Sequence, residues 1–326
     1  MSNEIYANAR AKAHEKYLLG KERINRMIEA ETPEEAIRIL FEVGFGDGLV
    51  LDQITDFERL IDLERQKFNA FLKEHGAITS VADYFLIKND YHNAEAFLKA
   101  KYLKNEDQTI LVEDGRIEKV LLKDKIMTDD YSSLPTFMRN ALVECDAQFV
   151  SGNVSGQSVN AVFTKAYYKH LYSVCKNDKT LKKLYEFKVD CINIGTALRA
   201  RNYSLAKDWF IDNGTLKEKD LIALSEDQLE NLKEAFRFTD YKEAVSLAVD
   251  AKLNGEPLSE FEKRADGLAF DLIKKEKYSI TGKSPYLYYC IRKVNEIFNV
   301  RVILVGLING LEKTQIKQRI RDVYEG

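Results

Sequence analysis

The sequence is poor in the residues that punctuate a chain. Its 326 residues include 4 prolines and 16 glycines, too few for the many tight turns of a sandwich or barrel. One-sided charge is absent too: 49 basic and 52 acidic side chains are interspersed and leave a formal charge of −3, so no wide field of one sign gathers nucleic acid or anionic lipid. Nucleic acid is therefore not an expected partner. The four cysteines, Cys145, Cys175, Cys191 and Cys290, lack CxxC spacing and sit among apolar neighbours, the pattern of reduced thiols used as small hydrophobes. This points to a cytoplasmic compartment.

Long apolar runs are missing as well. The most apolar stretch, residues 297–308, covers about a dozen positions and contains Asn299 and Arg301, whereas a bilayer crossing takes roughly 20. Met1-Ser2-Asn3-Glu4-Ile5-Tyr6 turns charged without an apolar core, so no secretory signal and no direct membrane insertion are expected.

What is present is charge on helical faces. A charged fraction of 31% suits long solvated helices, and the fold class read from it is all-α. Residues 5–29 carry Ala7, Ala11, Leu18, Leu19, Met27 and Ile28 on a helical pattern. Thr32-Pro33-Glu34-Glu35 opens the next helix, with Thr32 as N-cap, Pro33 at the first position and Glu35 completing a capping box. That helix stops at Gly44. Amphipathic helices follow over residues 56–75, ended by His75-Gly76, and over 81–102. Gly- and Ser-rich residues 151–158 read as a flexible connection, and a last helix, 314–324, is basic on one side.

An internal repeat organises the chain. Asp90-x-x-Asn93-x-x-x-x-Leu98, Asp190-x-x-Asn193-x-x-x-x-Leu198 and Glu296-x-x-Asn299-x-x-x-x-Leu304 place an acid, an Asn and a Leu at constant offsets, with the Asn residues 100 and 106 apart. Three helical repeat domains follow from it, at 1–125, 126–224 and 225–326. Gly115 and Gly214 stand in matching places after the first two copies. Helix, glycine turn, helix is the favoured reading there, although Asp114-Gly115 between β-branched residues also signals a hairpin. In the third copy Gly310 comes only 11 residues after Asn299, so that copy reads as shortened.

Chemistry is harder to find. His14, His75, His92 and His170 stand apart from one another and from the cysteines, so no zinc spacing is present. Gly44-Phe45-Gly46-Asp47-Gly48 follows a helix and lacks a Gly-Lys-Ser/Thr ending, and Gly282-Lys283-Ser284 lacks an upstream glycine and strand. Neither is a phosphate loop. No nucleophile elbow or HExxH is found, and no catalytic, cofactor-binding or metal-ligating residue is assigned. The repeated acids Asp90, Asp190 and Glu296 have two readings: convergence on a cation, as in carboxylate helical bundles, or a polar register lock formed with Asn93, Asn193 and Asn299. Repetition favours the lock, since three packing joints each need it and one active site does not. Lys99, Lys101, Arg199 and Arg201 lie off the expected buried face. They read as solvated helix surface or as donors gripping an acidic or carbonyl-rich helix end of a protein partner.

The chain resembles the C subunits of the V/A-type (archaeal and vacuolar-type) rotary ATPases and ATP synthases, relatives of the d subunit of the vacuolar ATPase. The residues that carry the resemblance are Tyr6-Ala7-Asn8-Ala9-Arg10-Ala11 with Leu18-Leu19, the central Asp190-x-x-Asn193-Ile194-x-x-x-Leu198-Arg199-Ala200-Arg201, and Asn299-Val300-Arg301-x-Ile303-Leu304 with Asn309-Gly310-Leu311. Thr164 departs from it, standing where the family often has an acid. The resemblance implies a three-lobed helical funnel with pseudo-threefold symmetry. It also implies a non-catalytic rotor subunit, peripheral to the cytoplasmic membrane face, that couples D- and F-type central stalk subunits to the membrane rotor ring during proton or sodium transport. The subunit would be a monomer in isolation. Two other readings stay open from the residues alone: a helical repeat scaffold for an unrelated complex, whose lobes would stack linearly, and a carboxylate metalloenzyme using Asp90, Asp190 or Glu296 with iron or manganese.

Overall fold

The computed structural model describes residues 2–74, 78–103, 111–112, 115–152, 155–200, 202–226 and 229–323. The fold is all-α, with no strand among the described residues. The helices of these residues are named in chain order: α1 Ser2–His14, α2 Lys21–Glu29, α3 Pro33–Phe41, α4 Glu58–Glu74, α5 Thr79–Leu103, α6 Lys119–Met127, α7 Thr136–Ser151, α8 Gly156–Cys175, α9 Lys179–Arg199, α10 Tyr203–Ala206, α11 Glu218–Glu226, α12 Leu229–Ala235, α13 Lys242–Asn254, α14 Ser259–Lys274, α15 Ser284–Ile308 and α16 Lys313–Arg319.

The chain forms two compact units, one of Met1–Ile78, Asp190–Asp208 and Thr215–Gly326, the other of Thr79–Val189 and Trp209–Gly214. Helix α9 supplies residues to both. In the first unit α15 is the central element, packed against α1, α2, α3, α4, α14 and α16, while α13 lies between α12 and α14. Its sequence explains this position: Tyr286, Leu287, Tyr289, Cys290, Ile297, Val300, Ile303 and Leu304 are buried, and a helix apolar on nearly every side belongs in a core. In the second unit α5 packs on α8 and α6, and α7 packs on α8. Helix α5 turns Val81, Leu86, Ile87, Tyr91, Ala94, Phe97 and Leu98 inward at helical spacing.

Local signals act largely as expected. Thr32 Oγ1 accepts from the Glu35 amide at 3.2 Å, and the Glu35 carboxylate accepts from the Glu31 amide instead of closing a full box on Thr32. At the connection read as flexible, α7 stops at Gly152, which adopts φ +71°, and Ser155 opens α8 in a capping box with Ser158. All four cysteines are buried and none forms a disulfide. Burial pushes the Cys145 and Cys191 thiols up to about 12.

Three expectations change. Residues 5–29 are not one helix: the chain leaves α1 through a 3-10 turn at Glu15–Tyr17 and re-enters helix only at Lys21. The break has a physical use, because it frees the Leu19 amide to donate to Glu296. Gly115 is not a left-handed helix cap; it lies in irregular backbone ahead of α6, while Glu113 and Asp114 lie outside the described residues. The third copy of the repeat is not short in its bonding, since Asn299 reaches a segment 22 residues on, beyond α16. His75, Gly76 and Tyr324, placed at helix ends by the sequence, also lie outside the described residues.

Candidate functional site

Each repeated acid or Asn sits within a long helix and is buried: Asp90, Asn93, Asp190, Asn193, Glu296 and Asn299 are all shielded from solvent. On α5, Asp90 Oδ2 accepts from the Arg116 amide and Oδ1 from the Ile117 amide, each at 3.0 Å. One turn later Asn93 holds both backbone groups of Val112, accepting from its amide at 3.0 Å and donating to its carbonyl at 3.3 Å. Val112, Gly115, Arg116 and Ile117 have no regular structure, so their peptide groups need such partners when buried. The helix side chains supply what a sheet or helix would have supplied.

The second copy repeats the device with an acid. Asp190 Oδ1 accepts from the Thr215 and Leu216 amides at 2.8 and 3.2 Å, while Oδ2 accepts from the Thr215 hydroxyl and, at 2.5 Å, from the Tyr241 hydroxyl. Burial and the adjacent carboxylate push the Tyr241 phenol up. In the third copy the two roles separate. Asn299 clamps the backbone of Arg321, accepting at 2.8 Å and donating at 3.1 Å, but Glu296 turns to the Leu19 amide and to Lys293 Nζ at 2.6 Å.

Lys293 belongs to a site that sequence reading misses. Its buried ammonium lies 2.5 Å from Glu64 and 2.6 Å from Glu296, both buried. Glu64 also accepts from the Gly46 amide at 3.1 Å and pairs with Lys67 at 3.0 Å. The glycine loop therefore commits an amide to a carboxylate of its own chain. At Gly46, φ is +69° and a β-carbon would lie 2.6 Å from Leu60, which explains glycine there twice over. Burial pushes Glu64 up, yet Lys293, Gly46 and Lys67 outweigh it and the net shift is down. For Glu296 burial wins and the shift is up. Lys293, opposed by burial, is raised by its two carboxylates. Beside this triad lies a cavity of about 320 Å³ walled by His14, Phe45, Phe68, Phe71 and Tyr289. A signal is present in sequence: Lys293 and Glu296 stand three apart on one face of a helix rich in apolar residues, where a buried charge needs a partner.

The basic positions are engaged within the chain. Lys99 pairs with Glu95 at 2.5 Å, Lys101 with Asp129 and, at 3.9 Å, Asp146, and Arg199 with Glu262. Arg201 lies outside the described residues. Among the described residues no three His, Cys, Asp or Glu side chains gather to hold a metal ion, and no helix is long and apolar enough to cross a membrane. Each repeated acid accepts from donors of the chain's own backbone and side chains.

Residues 7–319 match the family model described as ATP synthase (C/AC39) subunit. The chain belongs to this family. The match takes in all three copies of the acid and Asn. Relatives agree over nearly full length: the C subunit of the V-type sodium ATPase of Enterococcus hirae is 21% identical, covering 98% of this chain and 98% of that protein. The C subunit of the A-type ATP synthase of Haloquadratum walsbyi is 24% identical over 97% of this chain and 98% of its own. Its counterpart in Thermococcus kodakarensis is 23% identical over 98% and 90%. The resemblance read from sequence is thereby established as membership of a V/A-type ATP synthase subunit family.

Proposed function

We propose that the chain is a non-catalytic central-rotor subunit of a V/A-type rotary ATPase, seated between D- and F-type stalk subunits and the membrane rotor ring, and coupling the two during proton or sodium transport. The observation that carries this reading is the full-length match to C subunits named for a sodium ATPase and for ATP synthases. Within the proposal the three repeats, 1–125, 126–224 and 225–326, form three lobes about a pseudo-threefold axis, on the cytoplasmic side of the membrane. A mechanical role draws support from the bonding: buried side chains within α5, α9 and α15 fix irregular segments in place, and a torque-bearing part must deform little. The repeated acids are occupied in these structural bonds, which argues for a subunit without an active site of its own.

The test is reconstitution. Purified chain should lack ATPase activity, bind the stalk subunits, and restore coupling of hydrolysis to ion movement in a complex depleted of it. Failure to bind either stalk or ring would refute the role.

A further inference from the structure

The segment between α14 and α15 has a composition and posture that the rotor role does not use. Residues 274–283 read Lys-Lys-Glu-Lys-Tyr-Ser-Ile-Thr-Gly-Lys. Tyr278 and Ile280 are 74% and 75% exposed, two large apolar side chains turned to solvent within three residues. The backbone beneath them is tied down. The Asn8 amide of α1 donates to the Gly282 carbonyl at 3.0 Å and to that of Ile280 at 3.4 Å, and the Ser279 hydroxyl donates to the Thr281 carbonyl at 2.8 Å. Gly282 takes φ +83° to make the bend, and Pro285 stands in the first turn of α15. The two side chains are presented by a fixed loop.

Basic side chains outnumber acidic ones in the segment: Lys274, Lys275, Lys277 and Lys283 against Glu276. Lys274 and Lys275 are exposed, and the ammonium groups of Lys277 and Lys12 lie 4.8 and 5.5 Å from the Tyr278 ring centre. The acid inside the segment, Glu276, is exposed as well and accepts from the Ser284 hydroxyl at 2.6 Å. Interspersed charge over the whole chain rules out a wide basic field and leaves room for this local one. An aromatic ring with a polar tip, a neighbouring aliphatic side chain and long lysines that snorkel fit the boundary between lipid headgroups and acyl chains.

We propose that residues 274–283 form a contact with the surface of an anionic bilayer, Tyr278 and Ile280 entering the headgroup layer and Lys274, Lys275 and Lys277 meeting lipid phosphates. The contact is interfacial and weak alone, because two apolar side chains bury little area. It requires only the chain and a lipid surface, so it stands or falls apart from the rotor role. Flotation of the full chain with vesicles of phosphatidylcholine, alone or mixed with phosphatidylglycerol, tests it. Recovery is expected with the mixed vesicles at low salt, with loss at high salt. With each surface lysine worth about 1 kcal/mol, reversing two by Lys274→Glu and Lys275→Glu lowers partitioning by ~25-fold or more. Tyr278→Ser with Ile280→Ser also lowers it, and unchanged melting shows that either variant is folded, as exposed positions allow. No recovery with mixed vesicles, or equal recovery of wild type and both variants, overturns the proposal. So does loss of capture by a detergent-solubilised rotor ring with vesicle recovery unchanged, which would make the loop a protein contact.

Discussion

Gly115 lies against Asp90 so closely that a side chain has no place to begin: a β-carbon there would stand 2.6 Å from both the Asp90 carboxyl carbon and the Leu86 carbonyl oxygen. The carboxylate can hold the Arg116 and Ile117 amides only because the preceding residue lets the backbone approach. Gly115→Ala is therefore expected to cost about 1–3 kcal/mol through overpacking. Amide hydrogen exchange at Arg116 and Ile117 should rise well above that of α8, which a general loss of stability would not produce. Normal protection at both amides would show that the loop does not depend on this approach.

At Asp190 the bonding is one-sided, since two amides and two hydroxyls all donate to its carboxylate. Asp190→Asn keeps the shape but turns an NH2 group toward donors. We expect about 2–4 kcal/mol lost in Asp190→Ala, a comparable loss in Asp190→Asn, and about 1 kcal/mol in Tyr241→Phe. Denaturant midpoints measure this, and a near-neutral Asp190→Asn would mean that the acid's charge is not needed.

These two positions mark how far the sequence can be read. Asp190 and Asp90 are visible as a repeated pattern, because equal offsets on helices survive without any knowledge of contacts. Their bonding partners are half visible: the matching glycines locate the segment, but not that Gly115 serves close approach in place of a left-handed turn. Thr32 and Pro33 announce α3 because capping is local chemistry. The Lys293 triad is hidden for the opposite reason, as Glu64 and Lys293 come from helices distant in the chain and Glu64 has no local signature. The break between α1 and α2 is hidden because Leu18 and Leu19 continue a helical pattern, while the bond that favours leaving it, Leu19 amide to Glu296, is long-range.

Arg199 gives a cleaner test of partner contact than its neighbours. It pairs with Glu262, and both side chains are more than half exposed, so the pair contributes little to stability. Arg199→Glu is expected to leave the melting temperature nearly unchanged. If this face grips a stalk subunit, the same variant should weaken stalk binding, and a compensating Glu262→Arg should not restore it. Unchanged stalk binding removes Arg199 from the contact surface and leaves the fold untouched.

The buried triad predicts a pH dependence whose sign follows from Glu64. Its carboxyl lies below the usual glutamate range when folded, so its contribution is complete above the unfolded-state value and is lost as pH falls through the folded one. Glu64→Gln removes that contribution. The variant should lose about 2–4 kcal/mol near neutral pH, where Lys293 keeps only Glu296, and the wild-type and variant stability curves should converge in acid. Glu296 acts in the opposite sense: raised by burial, it takes stability away as pH rises from the ordinary glutamate value through its folded one. Lys293→Met should be the most damaging change at neutral pH, leaving two carboxylates buried within one cluster, and acid should relieve part of the damage by protonating them. Adding Glu64→Gln to Lys293→Met should recover part of the stability at neutral pH, because one of two like charges buried in the same cluster disappears. Melting curves of the four proteins across pH measure all of this, and parallel curves for wild type and Glu64→Gln down into acid would show that the Lys293 contact does not hold the carboxylate ionised.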